Sequence, residues 1–362
     1  MTDSLRDDPY YENPYPEEES SYSTHIVPRR FYVFLEVFMA MLLNFLIFLG
    51  FRYLIPLLPA SDYRGLIIFS AQLISIIIST VLALIFIHFV FYKSNMPLKK
   101  AEPPLKETSS LFTFKKVGMQ ILFTFLLLFL VYIPLDFLTY ALPGGLEFSR
   151  RSLLSNGTWG INAYLNFTQI GPFLLYGILL HLMVGVREEL FFRGFLSIRT
   201  EKYNNVGSSV VISSIFFALS HFTYIFYSSE IRYDLLPAFV WTIGAFFVSS
   251  VSAVFILKTR FIWPIILAHT INNVISSSVL WLNSIQNVDF WNIAKWLYLP
   301  LLSISILLTI IFFGEVKAGI KSYFTAFQSY KTELTERKTR YKTILADIIF
   351  GILFWAIGMW FI

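Results

Sequence analysis

Three clusters of polar side chains lie inside otherwise apolar stretches of this chain, and their types suit hydrolysis. The first is Glu188-Glu189 with Arg193 four residues on, within HLMVGVREELFFRGF from His181 to Phe195. The second is Phe217 followed by His221, and the third is His269 followed by Asn273. Ionisable groups at membrane depth are costly and usually face the protein interior, which makes them functional candidates. On a helix, Glu189 and Arg193 share a face and can pair. Glu188 is turned roughly 100° away. It lies nearer the face of His181 and is left to meet something from another helix. A carboxylate, two imidazoles and an amide can together cleave a bond with water. The carboxylate takes a proton from the water. The histidines either hold a divalent ion that acidifies that water or donate hydrogen bonds to an oxyanion. Asn273 can steady a tetrahedral intermediate in the same way.

These clusters need elements to carry them, and the composition says which kind. The 362 residues are 56% hydrophobic and 14% charged, with mean hydropathy +0.65. Soluble domains run near 45–50% apolar and 25% charged. The chain therefore reads as an all-α, polytopic transmembrane bundle, embedded in a lipid bilayer. Stretches long enough to span, about 20 residues each, fall near 32–51, 66–92, 117–141, 170–192, 208–228, 235–257, 262–282, 296–313 and 343–362, nine in all. Residues 1–30, rich in Asp, Glu, Tyr, Pro and Ser, read as a disordered acidic tail; residues 31–362 read as the membrane domain. There is no cysteine, hence no disulfide and no thiol nucleophile, and a metal would need His, Glu or Asp. No basic patch suggests nucleic acid.

Lys and Arg set the orientation. With the N-terminus cytoplasmic, twenty-one of them fall on the inner side of the nine spans and six on the outer. That bias predicts a multi-pass cell-membrane protein with its tail inside. The 142–169 loop is then external; it holds Asn156-Gly-Thr158 and Asn166-Phe-Thr168, two chance-prone matches to the glycosylation pattern. The basic stretch 314–342 is internal and reads as a solvated linker in preference to a lipid-binding helix. At 1.5 Å per residue, Glu188, His269 and His221 lie about 15, 10 and 20 Å from the cytoplasmic ends of their spans, at depths where they can converge.

In this order the motifs Glu188-Glu189-x-x-x-Arg193, Phe217-x-x-x-His221 and His269-x-x-x-Asn273 resemble the CAAX-protease and bacteriocin-processing family, the type II CAAX endopeptidases. The likeness covers about 170–285. It implies a helical membrane core of about eight spans and a site opening to the cytoplasm. It implies that Glu188 activates the water, that His221, His269 and Asn273 complete the site, and that Glu189 and Arg193 support it. The substrate would be a membrane-associated, prenylated or leader-type peptide. A divalent metal such as zinc would take His221, His269 and Glu188 as ligands. Two other readings compete: an inactive scaffold or bacteriocin-immunity protein of the same fold, and a transporter, although no inverted repeat appears. No His-Glu-x-x-His and no Gly-x-Ser-Gly occurs, which argues against the common zinc-helix and serine sites. Oligomeric state is not legible.

Overall fold

The structure, a computed structural model, describes residues 19–54, 64–89, 104–154, 161–223, 235–332, 334 and 336–358. Within them the chain forms helices and no strand. That is what a bilayer demands, because a helix satisfies its backbone groups internally. Each of the nine expected stretches coincides with a helix. Seven are long and apolar enough to cross a membrane. The second and fifth stretches are represented by the shorter apolar segments Ile77–Phe86 and Val206–Phe222.

In order, α1 is Glu19–Leu54, α2 Arg64–Ile87, α3 Pro104–Ser110 and α4 Val117–Leu127. After α4 the helix widens into a π segment, Leu128–Tyr132, and continues as α5, Ile133–Ala141. The short helix α6 (Gly145–Leu154) follows a turn at Gly144, whose φ of 78° suits glycine. Next come α7 (Ile170–Glu188), a second π segment (Glu189–Ser197), α8 (Ile198–Tyr203) and α9 (Val206–Phe222). The chain ends with α10 (Leu235–Thr259), α11 (Trp263–Ser284), α12 (Phe290–Ile293), a third π segment (Ala294–Tyr298), α13 (Leu299–Ile311), α14 (Phe313–Thr332) and α15 (Arg337–Gly358).

Two expectations change. Helix α1 begins at Glu19, so the polar stretch expected as a tail to residue 30 is helical over its last twelve residues. Extending an existing helix costs far less than nucleating one, and the apolar run behind Arg30 supplies the nucleus. Residues 1–18 and the site at Asn156 lie outside the described residues. The basic segment expected as a linker is the helix α14, which buries Ala326, Ser329 and Tyr330.

Helix α9 is the pivot. Ser208, Ser209, Ser213 and Ser214 are buried along it, and small residues let helices approach closely in a membrane. It packs chiefly on α10 and α15. Several charges inside the spans are paired with one another, as such groups usually are. Arg30 of α1 meets Asp347 of α15 at 2.5 Å and Ser208 of α9 at 2.9 Å. Glu36 of α1 receives Arg199 of α8 at 2.8 and 2.9 Å. These ties lock the first and last long helices around the segment that carries the motifs.

Candidate active site

The first motif straddles a change of helix type. Glu188 is the last residue of α7 and Glu189 the first of the π segment. π turns are rare and tend to occur at functional sites. The two neighbours then meet opposite surroundings. Glu189 is wholly buried: one carboxylate oxygen lies 2.7 Å from Nδ1 of His269 on α11, the other 3.2 Å from Nε of Arg193. Glu188 keeps 27% of its side chain exposed, with its nearest cation-capable partner, His269 Nε2, 3.8 Å away. That gap is too long for a direct hydrogen bond. It is a separation at which one water can bond to both atoms.

Sequence spacing anticipated the contact of Glu189 with Arg193 but not its contact with His269. It also placed His181 near Glu188, and the structure gives His181 other partners. Arg193 is fully buried, and its guanidinium stacks over Phe217 at 4.2 Å from the ring centre. Its two terminal nitrogens find no hydrogen-bond acceptor among the described residues. Glu189 and the Phe217 ring, with the Phe192 ring at 5.9 Å, are therefore what compensates this charge.

Phe217 also joins the second motif to the third. Its ring centre is 4.6 Å from that of His221 and 6.4 Å from that of His269. His221 Nδ1 lies 2.9 Å from the Phe217 carbonyl. A carbonyl only accepts, so this nitrogen carries the proton and Nε2 is the acceptor of the neutral ring. Facing a carboxylate, His269 Nδ1 likewise carries its proton, and Nε2 turns toward Glu188. Asn273, one turn along α11 on the same face, is half-buried. Its side chain makes no hydrogen bond among the described residues. Thus Glu188, Glu189, Arg193 and His269 meet directly, His221 joins through Phe217, and Asn273 stands one turn beyond.

Helices α7 and α11 run antiparallel at close range here. A Cβ on Gly185 would sit 2.8 Å from Thr270 Oγ1 and 3.3 Å from the Ile266 carbonyl. Only a residue without a side chain lets Glu188 and Glu189 reach His269. Tyr132, at the end of the first π segment, stacks on His269 at 6.0 Å. Nothing in the motif spacing pointed to it.

Residues 170–275 match the family model of type II CAAX prenyl endopeptidase Rce1-like proteins. This part of the chain is Rce1-like. No curated protein and no solved structure matches the chain. The matched segment runs from the start of α7 into α11 and includes all three motifs. The similarity over this segment is to a family of proteases, and seven helices long and apolar enough to cross a membrane fit an integral membrane protein.

A metal was the expected alternative for the histidines, with His221, His269 and Glu188 as ligands. Part of the chemistry fits: both rings are held through Nδ1 and offer Nε2, as metal-binding histidines do. The spacing does not fit. Among the described residues no three His, Asp or Glu side chains come together as a ligand set. No step is therefore routed through a metal.

Proposed function

We propose that the chain is an intramembrane endopeptidase that cleaves a membrane-associated, prenylated or leader-type peptide with a water activated by Glu188. The observation that carries this reading is the contrast between the two glutamates. Glu189 is buried and committed to His269 and Arg193, whereas Glu188 is accessible and uncommitted.

A water in the gap donates one hydrogen to Glu188 and the other to His269 Nε2, leaving its lone pairs toward the substrate carbonyl. As its oxygen bonds to the carbonyl carbon, Glu188 takes the proton. The carbonyl electrons move onto oxygen, where the Asn273 amide donates to the oxyanion. Collapse breaks the C–N bond, and Glu188 returns the proton to the leaving amine. Glu189 acts through His269 by fixing its tautomer and orientation.

The test is Glu188→Gln, which keeps the shape and removes the base. Peptide hydrolysis in detergent should be lost, while the thermal unfolding midpoint stays at the wild-type value. Wild-type turnover by Glu188→Gln would sink the assignment.

A further inference from the structure

A second tier of polar residues lies beyond the proposed catalytic one, toward the α6 end of the bundle. Its spine is α11. His269, Asn273, Ser276 and Asn283 are spaced i, i+4, i+7 and i+14 and keep to one helical face. This polar stripe is about 21 Å long at 1.5 Å per residue.

Side chains from three other elements meet the stripe at Ser276 and Ser277, and a fourth element reaches it through Asp136. Tyr140 of α5 contacts Ser276 Oγ at 2.5 Å. Tyr298, closing the third π segment, donates to Asp136 of α5. Tyr164 and His181 Nε2 lie 2.6 Å apart, and both bond Ser277 Oγ, at 2.8 and 2.7 Å. Ser277 Oγ in turn donates to the backbone carbonyl of Asn273 one turn earlier, at 2.7 Å.

Two features of the tier call for water. Nδ1 of His181 and Oδ1 of Asn272 are buried without a hydrogen-bond partner among the described residues, and buried polar atoms are otherwise paired with protein or ordered water. Asp136 likewise has no cationic partner among the described residues, and a carboxyl at this depth otherwise lines a protein or water-filled interior. The tier also has an entrance. A cavity of about 400 Å³ opens at the α6 end, lined by Tyr140, Gly144, Glu147, Asn283 and Trp291. Tyr140 and Asn283 belong both to this cavity and to the polar tier.

We propose that the tier is a hydrated passage that brings water from the α6 face to the pair Glu188–His269. Each hydrolysis consumes one water, and a site closed by an apolar peptide on its other side needs a supply. What the water is used for rests on the function proposed above; the existence of the passage does not.

The experiment exploits the absence of cysteine. Ser276→Cys, Asn283→Cys and Val279→Cys are each made singly in the full chain, reconstituted in sealed vesicles, and exposed to a small charged methanethiosulfonate from either side. Asn283→Cys reports the cavity mouth, and Val279, fully buried off the stripe, is the dry control. Ser276→Cys should label from the same side as Asn283→Cys and about tenfold or more faster than Val279→Cys, because thiol exchange requires access. Labelling of Ser276→Cys no faster than Val279→Cys, or only from the opposite side, would overturn the passage. The adduct at Ser276→Cys should then lower kcat and leave KM unchanged relative to the same variant unlabelled. Labelling with kcat intact would overturn its role in supplying the site. Loss of activity in Glu188→Gln is read separately, so failure of the catalytic reading and failure of the passage give different results.

Discussion

Replacing Glu189 by Gln should cost stability, whereas the same change at Glu188 should cost only turnover. Both Glu189 and Arg193 have no exposed side-chain surface, and their closest approach is 3.2 Å. The Arg193 terminal nitrogens have no acceptor among the described residues, so removing the carboxylate charge leaves the guanidinium compensated chiefly by the Phe217 ring at 4.2 Å, with Phe192 farther off at 5.9 Å. Breaking a buried ion pair from one side costs about 3–5 kcal/mol. A desolvated cation over an aromatic face retains about 2 kcal/mol, which places the loss toward the lower end of that range. A Gln carbonyl can still accept from His269 Nδ1, but its neutral amide offers Arg193 no counter-charge, so the guanidinium is stranded. Denaturant unfolding in mixed micelles, followed by tryptophan fluorescence, measures the difference. Glu189→Gln combined with Arg193→Met should recover much of the loss, because the uncompensated charge has gone. A Glu189→Gln protein within about 0.5 kcal/mol of wild type, the range of an ordinary surface change, would refute the argument.

Three further outcomes follow from the geometry. Gly185→Val should force α7 away from α11 and lower both stability and activity, by about 1–3 kcal/mol in unfolding; Thr270→Ala should relieve part of it, and no relief would place the clash elsewhere. Glu147 on α6 has its carboxyl held down to about 2, chiefly by the Arg150 hydrogen bond acting against desolvation, with Arg151 adding to it. Its contribution to α6 is therefore complete above the ordinary carboxylate range and fades as pH falls toward about 2; the effect should be small and salt-sensitive because both partners are over two-fifths exposed. In Arg150→Gln the carboxyl should titrate nearer its ordinary value by NMR, and an unchanged titration would show that Arg150 is not the cause. Hydrolysis should survive a strong chelator, since the histidines and Glu188 do not close into a ligand set; activity lost to chelation and restored by zinc would reinstate that set.

Much of the fold was legible because hydropathy alone marks helices in a bilayer. The stretch 117–141 coincides with α4 through α5, where Lys116 precedes the run and Pro143-Gly144 follows it. The π segments at 128–132, 189–197 and 294–298 were not legible, since any reading by face assumes 3.6 residues per turn throughout. Each of them delivers a residue to the polar interior: Tyr132 onto His269, Glu189 onto His269 and Arg193, Tyr298 onto Asp136. Asp136 itself carried a usable signal, as a lone carboxyl inside an apolar span. Glu36 and Asp347 carried the same one. His181 did share a helix face with Glu188 in projection, yet Tyr164 and Ser277 hold it, because helix contacts made from outside the element are invisible to spacing.

The buried Glu189–Arg193 pair raises a question that stability alone does not answer. Two apolar side chains of similar size would serve the fold as well or better, since an ion pair in a dry interior seldom gains more than desolvation takes away. Arg193 holds Glu189, Glu189 fixes the proton of His269 on Nδ1, and the ring then turns Nε2 toward the gap beside Glu188. The pair is thus a means of orienting an imidazole that sits on another helix. On this account the two properties part company in Glu189→Gln with Arg193→Met. Its unfolding should return toward wild type, while hydrolysis stays impaired because the introduced amide, both donor and acceptor, can hold His269 in either tautomer. A variant that recovered both would make the pair structural and return the orientation of His269 to Tyr132 and Phe217.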